Sequence, residues 1–232
     1  MASKAKLIWQ KFNRWLRLQP HIPEQWQKMQ LADMPFLCID LELNSMKTAD
    51  AQIVSIGWIE GKNNQIKLDS CFYQLVSTKA PLNQSPVFHG LTADDVAQGE
   101  SVQTVLEKLK TYAQSHIWVF HCTNLDMTIL RRVYNELGIS LPTIVTVDTL
   151  TFGLYQLTRH KHPPPPNAVV LPVCRARYNL PAVPAHNALD DAMATLELLF
   201  AQIQKFSSGH PQTLENLLIT KAVRVYSDKD KI

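Results

Sequence analysis

Two hydrophobic periods share this chain. Residues 36–43, FLCIDLEL, are apolar almost throughout, as in a strand covered on both faces, until Asp40 and Glu42 break the run two positions apart. Residues 51–60, AQIVSIGWIE, and 64–76, NQIKLDSCFYQLV, read as two further strands, and the EGKNN between them carries a hairpin signal. The period then changes: Val102, Val105, Leu106, Leu109 and Tyr112 recur at helical spacing. IWVFH at 117–121 predicts a short buried strand, and residues 124–138 a helix with Asn124 as its cap and Gly138 as its stop. TIVTV at 143–147 predicts a fifth strand, and TLTFGLYQL after it a short helix. Four consecutive prolines at 163–166 dictate an exposed, stiff loop. A short helix is expected in AVVLPVCRARYNL. A long one is expected in NALDDAMATLELLFAQIQKF, where Leu189, Ala192, Leu196, Leu199, Phe200 and Ile203 share a face.

Hairpin-linked strands followed by strands alternating with helices predict an α/β domain over residues 35–207, a mixed five-stranded sheet with helices on both faces. Residues 1–34 read as an extension: a basic amphipathic helix, KLIWQKFNRWLRLQ, then a linker marked by Pro20, Pro23 and Pro35. Residues 208–232 read as a tail with room for a short helix. The basic helix suits packing on the domain or contact with nucleic acid or a protein partner.

Composition adds limits. The 232 residues are 46% hydrophobic and 19% charged, enough for one large core without disulfides. A net charge of +3 permits a polyanionic ligand without demanding one. Cys38, Cys71, Cys122 and Cys174 are scattered, without zinc spacing, and fit free thiols in a reducing cytoplasm. No apolar run reaches the ~18 residues of a membrane span.

The acids carry the chemistry. Residues i and i+2 of a strand share a face, so Asp40 and Glu42 point the same way at the end of a buried run. Two such like charges raise each other's pKa unless a positive group lies between them. Asp126 falls in the first turn after the IWVFH strand, and Asp190 and Asp191 in the first turn of the last long helix, just after His186. Carboxylates gathered at the ends of a strand and two helices suit hard divalent cations.

FLCIDLEL, VFHCTNLD and HNALDDAMAT resemble, in this order, the three motifs of the DEDDh exonucleases, proteins similar to the proofreading epsilon subunit of bacterial DNA polymerase III. QIVSIGWI, SPVFHGLTADDV and VDTL resemble its intervening segments, so the likeness runs from about residue 35 to 206. It implies the ribonuclease H-like fold. It implies that Asp40 and Glu42 are the first-motif acids and Asp126 the second. His186, Ala188 and Asp191 match the H-x-A-x-x-D of the third, so Asp191 rather than Asp190 is the fourth carboxylate. The implied chemistry is metal-dependent hydrolysis of phosphodiesters from the 3′ end of single-stranded DNA, with RNA as the second substrate, releasing 5′-mononucleotides. Two Mg²⁺ ions, replaceable by Mn²⁺, are implied on Asp40, Glu42, Asp126 and Asp191, with His186 as general base. The alternatives are an RNA-trimming or short-oligonucleotide enzyme, or a nucleic-acid-binding or polymerase-accessory module with weak catalysis.

The resemblance places Leu43, Asn44, His89 and Leu125 at the terminal nucleotide. Three of these positions depart from the family. Leu43, Asn44 and Ser45 stand where it has Thr-Thr-Gly, and Cys122 and Leu125 where it has the Asn and Phe of H-N-x-x-F-D. Arg131, Arg132, the RHKH of 159–162, Arg175 and Arg177 are candidate guides for a phosphate backbone.

Overall fold

Strand β1, Phe36–Leu43, lies inside a six-stranded sheet and is buried along most of its length. The others are β2 (Ile53–Lys62), β3 (Gln65–Leu75), β4 (Ile117–Phe120), β5 (Ile144–Asp148) and β6 (Val223–Tyr226), in the order β3-β2-β1-β4-β5-β6. β1, β4 and β5 are parallel; β2, β3 and β6 run antiparallel to their neighbours. The computed structural model describes residues 22–45, 47–78, 90–158, 164–184 and 186–227. The amphipathic stretch before residue 22, His89 and the RHKH segment lie outside them.

The sheet has six strands, not the five that patterning predicts. The sixth, VRVY, sits in what reads as a tail. It is four residues long, and Arg224 at its second position is exposed, so it carries too little hydrophobic signal to stand out. Elsewhere local chemistry matches the expected breaks. Asn63 and Asn64 both take positive φ (54° and 56°), the conformation that lets a two-residue turn follow the twist of β2 and β3.

The helices among the described residues are α1 (Glu24–Gln27), α2 (Ala93–Ala97), α3 (Val102–Lys110), α4 (Thr123–Glu136), α5 (Thr149–Thr158), α6 (Leu171–Ala176), α7 (Ala188–Ser207) and α8 (Leu214–Leu217). α3 and α4 bury Leu106, Leu109, Ile129 and Leu130 against Leu37, Ile39, Trp58, Trp118 and Phe120 on one face of the sheet. On the other face α7 lays Ala192, Leu196, Leu199 and Ile203 on Phe36, Cys38, Val119 and Val147. Trp26 and Leu31 before β1, and Leu214, Leu217 and Val223 after α7, extend that second core.

α4 corrects an expectation. Its N-cap is Cys122, in a left-handed conformation (φ 98°) with no side-chain cap bond, rather than Asn124. Asn124 lies inside the first turn, where its Oδ1 accepts from Arg224 of β6 at 3.0 Å.

Candidate active site

Phe36 and Cys38 face α7, so the two-residue period puts Asp40 and Glu42 on that face too, where β1 ends. The neighbouring residue in β2 lets the helix come close. Asp40 pairs with Gly57, where a Cβ would lie 2.3 Å from the Leu189 nitrogen and 2.4 Å from the Ala188 carbonyl carbon. The first turn of α7 therefore rests on bare β2 backbone. Asn187 fixes its start, its Oδ1 accepting from Leu189 N–H (3.0 Å) and Asp190 N–H (3.2 Å). Asp191 enters the site from this turn, and its Oδ2 accepts from the His186 backbone N–H at 2.9 Å. The result is a trio: single ligand atoms of Glu42, His186 and Asp191 all lie within 4.8 Å of one another.

The second contribution comes from β4 and α4. Asp126, 7% exposed, is buried in the first turn of α4. The sharp turn into that helix is held by Asp148, at the end of β5. Its Oδ1 accepts from the N–H of Cys122 (3.1 Å) and Leu150 (3.0 Å), and its Oδ2 from the Thr151 hydroxyl (2.9 Å). Asp148 thus caps α5 and anchors the start of α4 with one carboxylate. An Asp just ahead of a TLT helix start is a capping signal that sequence reasoning had available. His121 is also engaged structurally: Nδ1 meets the Thr149 hydroxyl at 2.8 Å and Nε2 the Val169 carbonyl at 2.9 Å. Burial pushes its pKa down, which favours the neutral ring.

Charge crowding marks the site. Burial raises the Asp40 carboxyl well above the usual range, and Asp126, Asp191 and Glu42 all push it further up. Burial does the same to Asp126, with Asp148 and Glu42 adding to it against its own backbone hydrogen bond. Glu42 is pushed up to about 7 by burial and by Asp191. Asp191 is raised by burial, against the opposing pull of the His186 N–H and of the His186 and Arg175 charges. Asp40 and Asp126 thus crowd together with no cation offsetting them among the described residues. An array of buried oxygens short of positive charge is the environment that a hard divalent ion satisfies, and the donor set fits one.

The other predicted residues fall out unevenly. Leu43 is half-buried and packs on the α3–α4 core; Leu125 is half-buried beside Asp126. Asn44, 4% exposed, closes the β1–β2 connection: its Oδ1 accepts from Gln52 N–H at 2.7 Å. Two candidate phosphate guides are structural. Arg132 pairs with Glu136 at 3.0 Å and donates to the Ala51 carbonyl. Arg175 is buried against α7.

Carboxylates converge where the parallel strands end, on a mixed sheet covered on both faces, and the architecture is the ribonuclease H-like fold. The exonuclease family RNase T matches residues 37–199, and the chain belongs to that family. A Mycobacterium tuberculosis protein described as a bifunctional exonuclease/endonuclease is 25% identical over 197 residues; the match takes in 82% of this chain but only 30% of that relative. Among solved structures, cell-death related nuclease 4 superposes with a TM-score of 0.65 at 14% identity, over 78% of this chain and 66% of its own. Exonuclease X, in complex with 5′ overhanging duplex DNA, gives 0.58 at 18% identity, over 79% of this chain and 99% of its own. E. coli Exonuclease I bound to a dT13 oligonucleotide gives 0.60 at 14% identity, over 75% of this chain and 41% of its own. No helix among the described residues is long and apolar enough to cross a membrane.

Proposed function

We propose that the protein removes nucleotides one at a time from the 3′ end of single-stranded DNA, with RNA as a second substrate, releasing 5′-mononucleotides. The observation that carries this reading is the convergence of Glu42, His186 and Asp191 within 4.8 Å, beside the crowded acids Asp40 and Asp126. Asp40, Glu42, Asp126 and Asp191 are the residues to hold two divalent ions, Mg²⁺ with Mn²⁺ able to substitute. When bound, such ions polarise the scissile phosphate and generate a nucleophile from water.

The chain supplies the rest. β1, α4 and α7 each bring carboxylates to one place, so no single element has to carry the whole charge. His186 is exposed at the head of α7, within reach of Glu42 and Asp191, and takes the proton from the attacking water. His121, held by Thr149 and Val169, is not free to do so. Leu125 and the uncovered part of Leu43 offer apolar surface for the terminal base, a contact that tolerates any sequence. The DNA held by Exonuclease X and Exonuclease I is the ground for placing DNA first. The four free cysteines, two of them buried, favour a cytoplasmic protein.

The test uses single-stranded DNA and RNA oligonucleotides, each with a free or a blocked 3′ end, incubated with Mg²⁺, Mn²⁺ or a chelator. Stepwise shortening from free 3′ ends only, with metal only, is expected. Shortening from the 5′ end, or shortening that survives the chelator, sinks the reading.

A further inference from the structure

Arg175 is a buried charge that the proposed reaction does not use. It is 2% exposed, at the end of α6. Nη1 donates to the Ala194 carbonyl of α7 at 2.6 Å. Nη2 donates to the Pro181 carbonyl at 2.9 Å and pairs with Glu197 Oε2 at 2.7 Å. The backbone carbonyl of Arg175 accepts from the N–H of Tyr178 (2.9 Å) and Leu180 (3.2 Å). One residue therefore gathers the turn 178–181 and locks it to the first half of α7. Nε is buried with no partner among the described residues, so the charge is held at a cost that an apolar side chain would avoid.

What this arrangement holds is the approach to His186. Ala182, Val183 and Pro184 follow Pro181 exposed, and His186 stands at the far end with φ 70°. The far end is tied by the His186 N–H to Asp191 and by the Asn187 cap. The near end is tied by Arg175, and Pro181 and Pro184 limit the play between them.

We propose that Arg175 is a positioning residue: by holding Pro181 against Ala194 and Glu197, it fixes the segment that presents His186 to Glu42 and Asp191. This rests on His186 being the general base. The geometry demands arginine, because the planar fork reaches two carbonyls and a carboxylate at once and an ammonium does not.

The experiment compares Arg175→Met, Arg175→Lys, His186→Ala and the His186→Ala/Arg175→Met double variant on a 3′-hydroxyl oligonucleotide with Mg²⁺. Arg175→Met is expected to lower kcat about 10- to 100-fold, the effect of misplacing a catalytic group by an ångström. KM should stay within about threefold, since the substrate surface is not touched, and Mg²⁺ is kept saturating because the Arg175 charge also acts on Asp191. Arg175→Lys, which keeps the charge and the fold, should lose part of that kcat. In the His186→Ala background Arg175→Met should cost nothing further, because the base it positions is gone. Proteinase K should cut between residues 181 and 186 about tenfold faster in Arg175→Met, as expected for a released segment. An equal loss in the His186→Ala background overturns the proposal, and so does full kcat in Arg175→Lys. If His186→Ala keeps full activity, the general-base reading falls. Proteolysis then still decides whether Arg175 holds the segment, and an unchanged cutting rate rejects that as well.

Discussion

Asp190 and Asp191 are adjacent in the chain and opposite in circumstance. Asp191 is half-buried, has its carboxyl raised by burial and lies within 4.8 Å of Glu42 and His186. Asp190 is exposed, and its backbone N–H is used by the Asn187 cap. Asp191→Ala should therefore lower kcat by ~10²–10³, the range for removing one electrostatic group from a reaction site, while Asp190→Ala stays near wild type. Single-turnover rates on one oligonucleotide decide it, and equal losses reject the assignment. His186→Ala should cost ~10²–10⁴ in kcat if it is the base. The convergence of Glu42, His186 and Asp191 was legible because spacing places them: i and i+2 on a strand, and a histidine five positions before Asp191. Arg175 and Asn44 were not. A sequence shows a charge or a carboxamide but not where it ends up. Asn44 is used by Gln52, eight positions away, and Arg175 by Pro181, Ala194 and Glu197.

At the scale of elements, the site depends on how closely α7 approaches β2. Gly57 and Gly61 both lie under this helix, but what a methyl group would meet differs. At Gly57 it would meet backbone, Leu189 N at 2.3 Å; at Gly61 its nearest contacts are the side-chain ends of Leu196 and Phe200, each at 2.8 Å, with the Gln65 carbonyl oxygen further off at 3.1 Å. Backbone cannot rotate away, whereas side-chain ends can. Gly57→Ala should displace the first turn of α7, costing about 1–3 kcal/mol of stability from overpacking. It should also cost ~10² in kcat, since the turn carries Asp191 and follows His186. Gly61→Ala should be milder in stability and keep most of its activity. Thermal denaturation and initial rates on the two variants make the comparison, and a fully active Gly57→Ala rules the argument out. The helices of this layer were readable from their apolar stripes. The contact itself was not, because a glycine in a strand announces a close approach without naming its partner. β6 escaped for a related reason: its place beside β5 comes from tertiary pairing, not from a pattern in VRVY.

Across the whole molecule, the acidic site works against the fold until a cation is present. Glu42 has a pKa of about 7 in the folded protein against an ordinary 4.5, and Asp40, Asp126 and Asp191 are raised as well. A carboxyl raised by folding binds more protons folded than unfolded, so stability is full below the ordinary carboxyl range and is lost as pH rises through the folded value. For Glu42 that window runs from 4.5 to about 7. Two half-buried histidines pull the other way: His116 and His121 are lowered by desolvation, so their contribution is lost as pH falls. The difference between wild type and Glu42→Gln isolates the acid. In chelator, the melting temperature of the wild type should fall relative to that of Glu42→Gln as pH goes from 5 to 7.5. Saturating Mg²⁺ should close much of that gap, because an ion that binds only the folded state stabilises it by mass action. Should the two proteins keep a constant difference across that range in chelator, the four carboxylates are not strained against one another. Their convergence would then need an explanation other than metal binding.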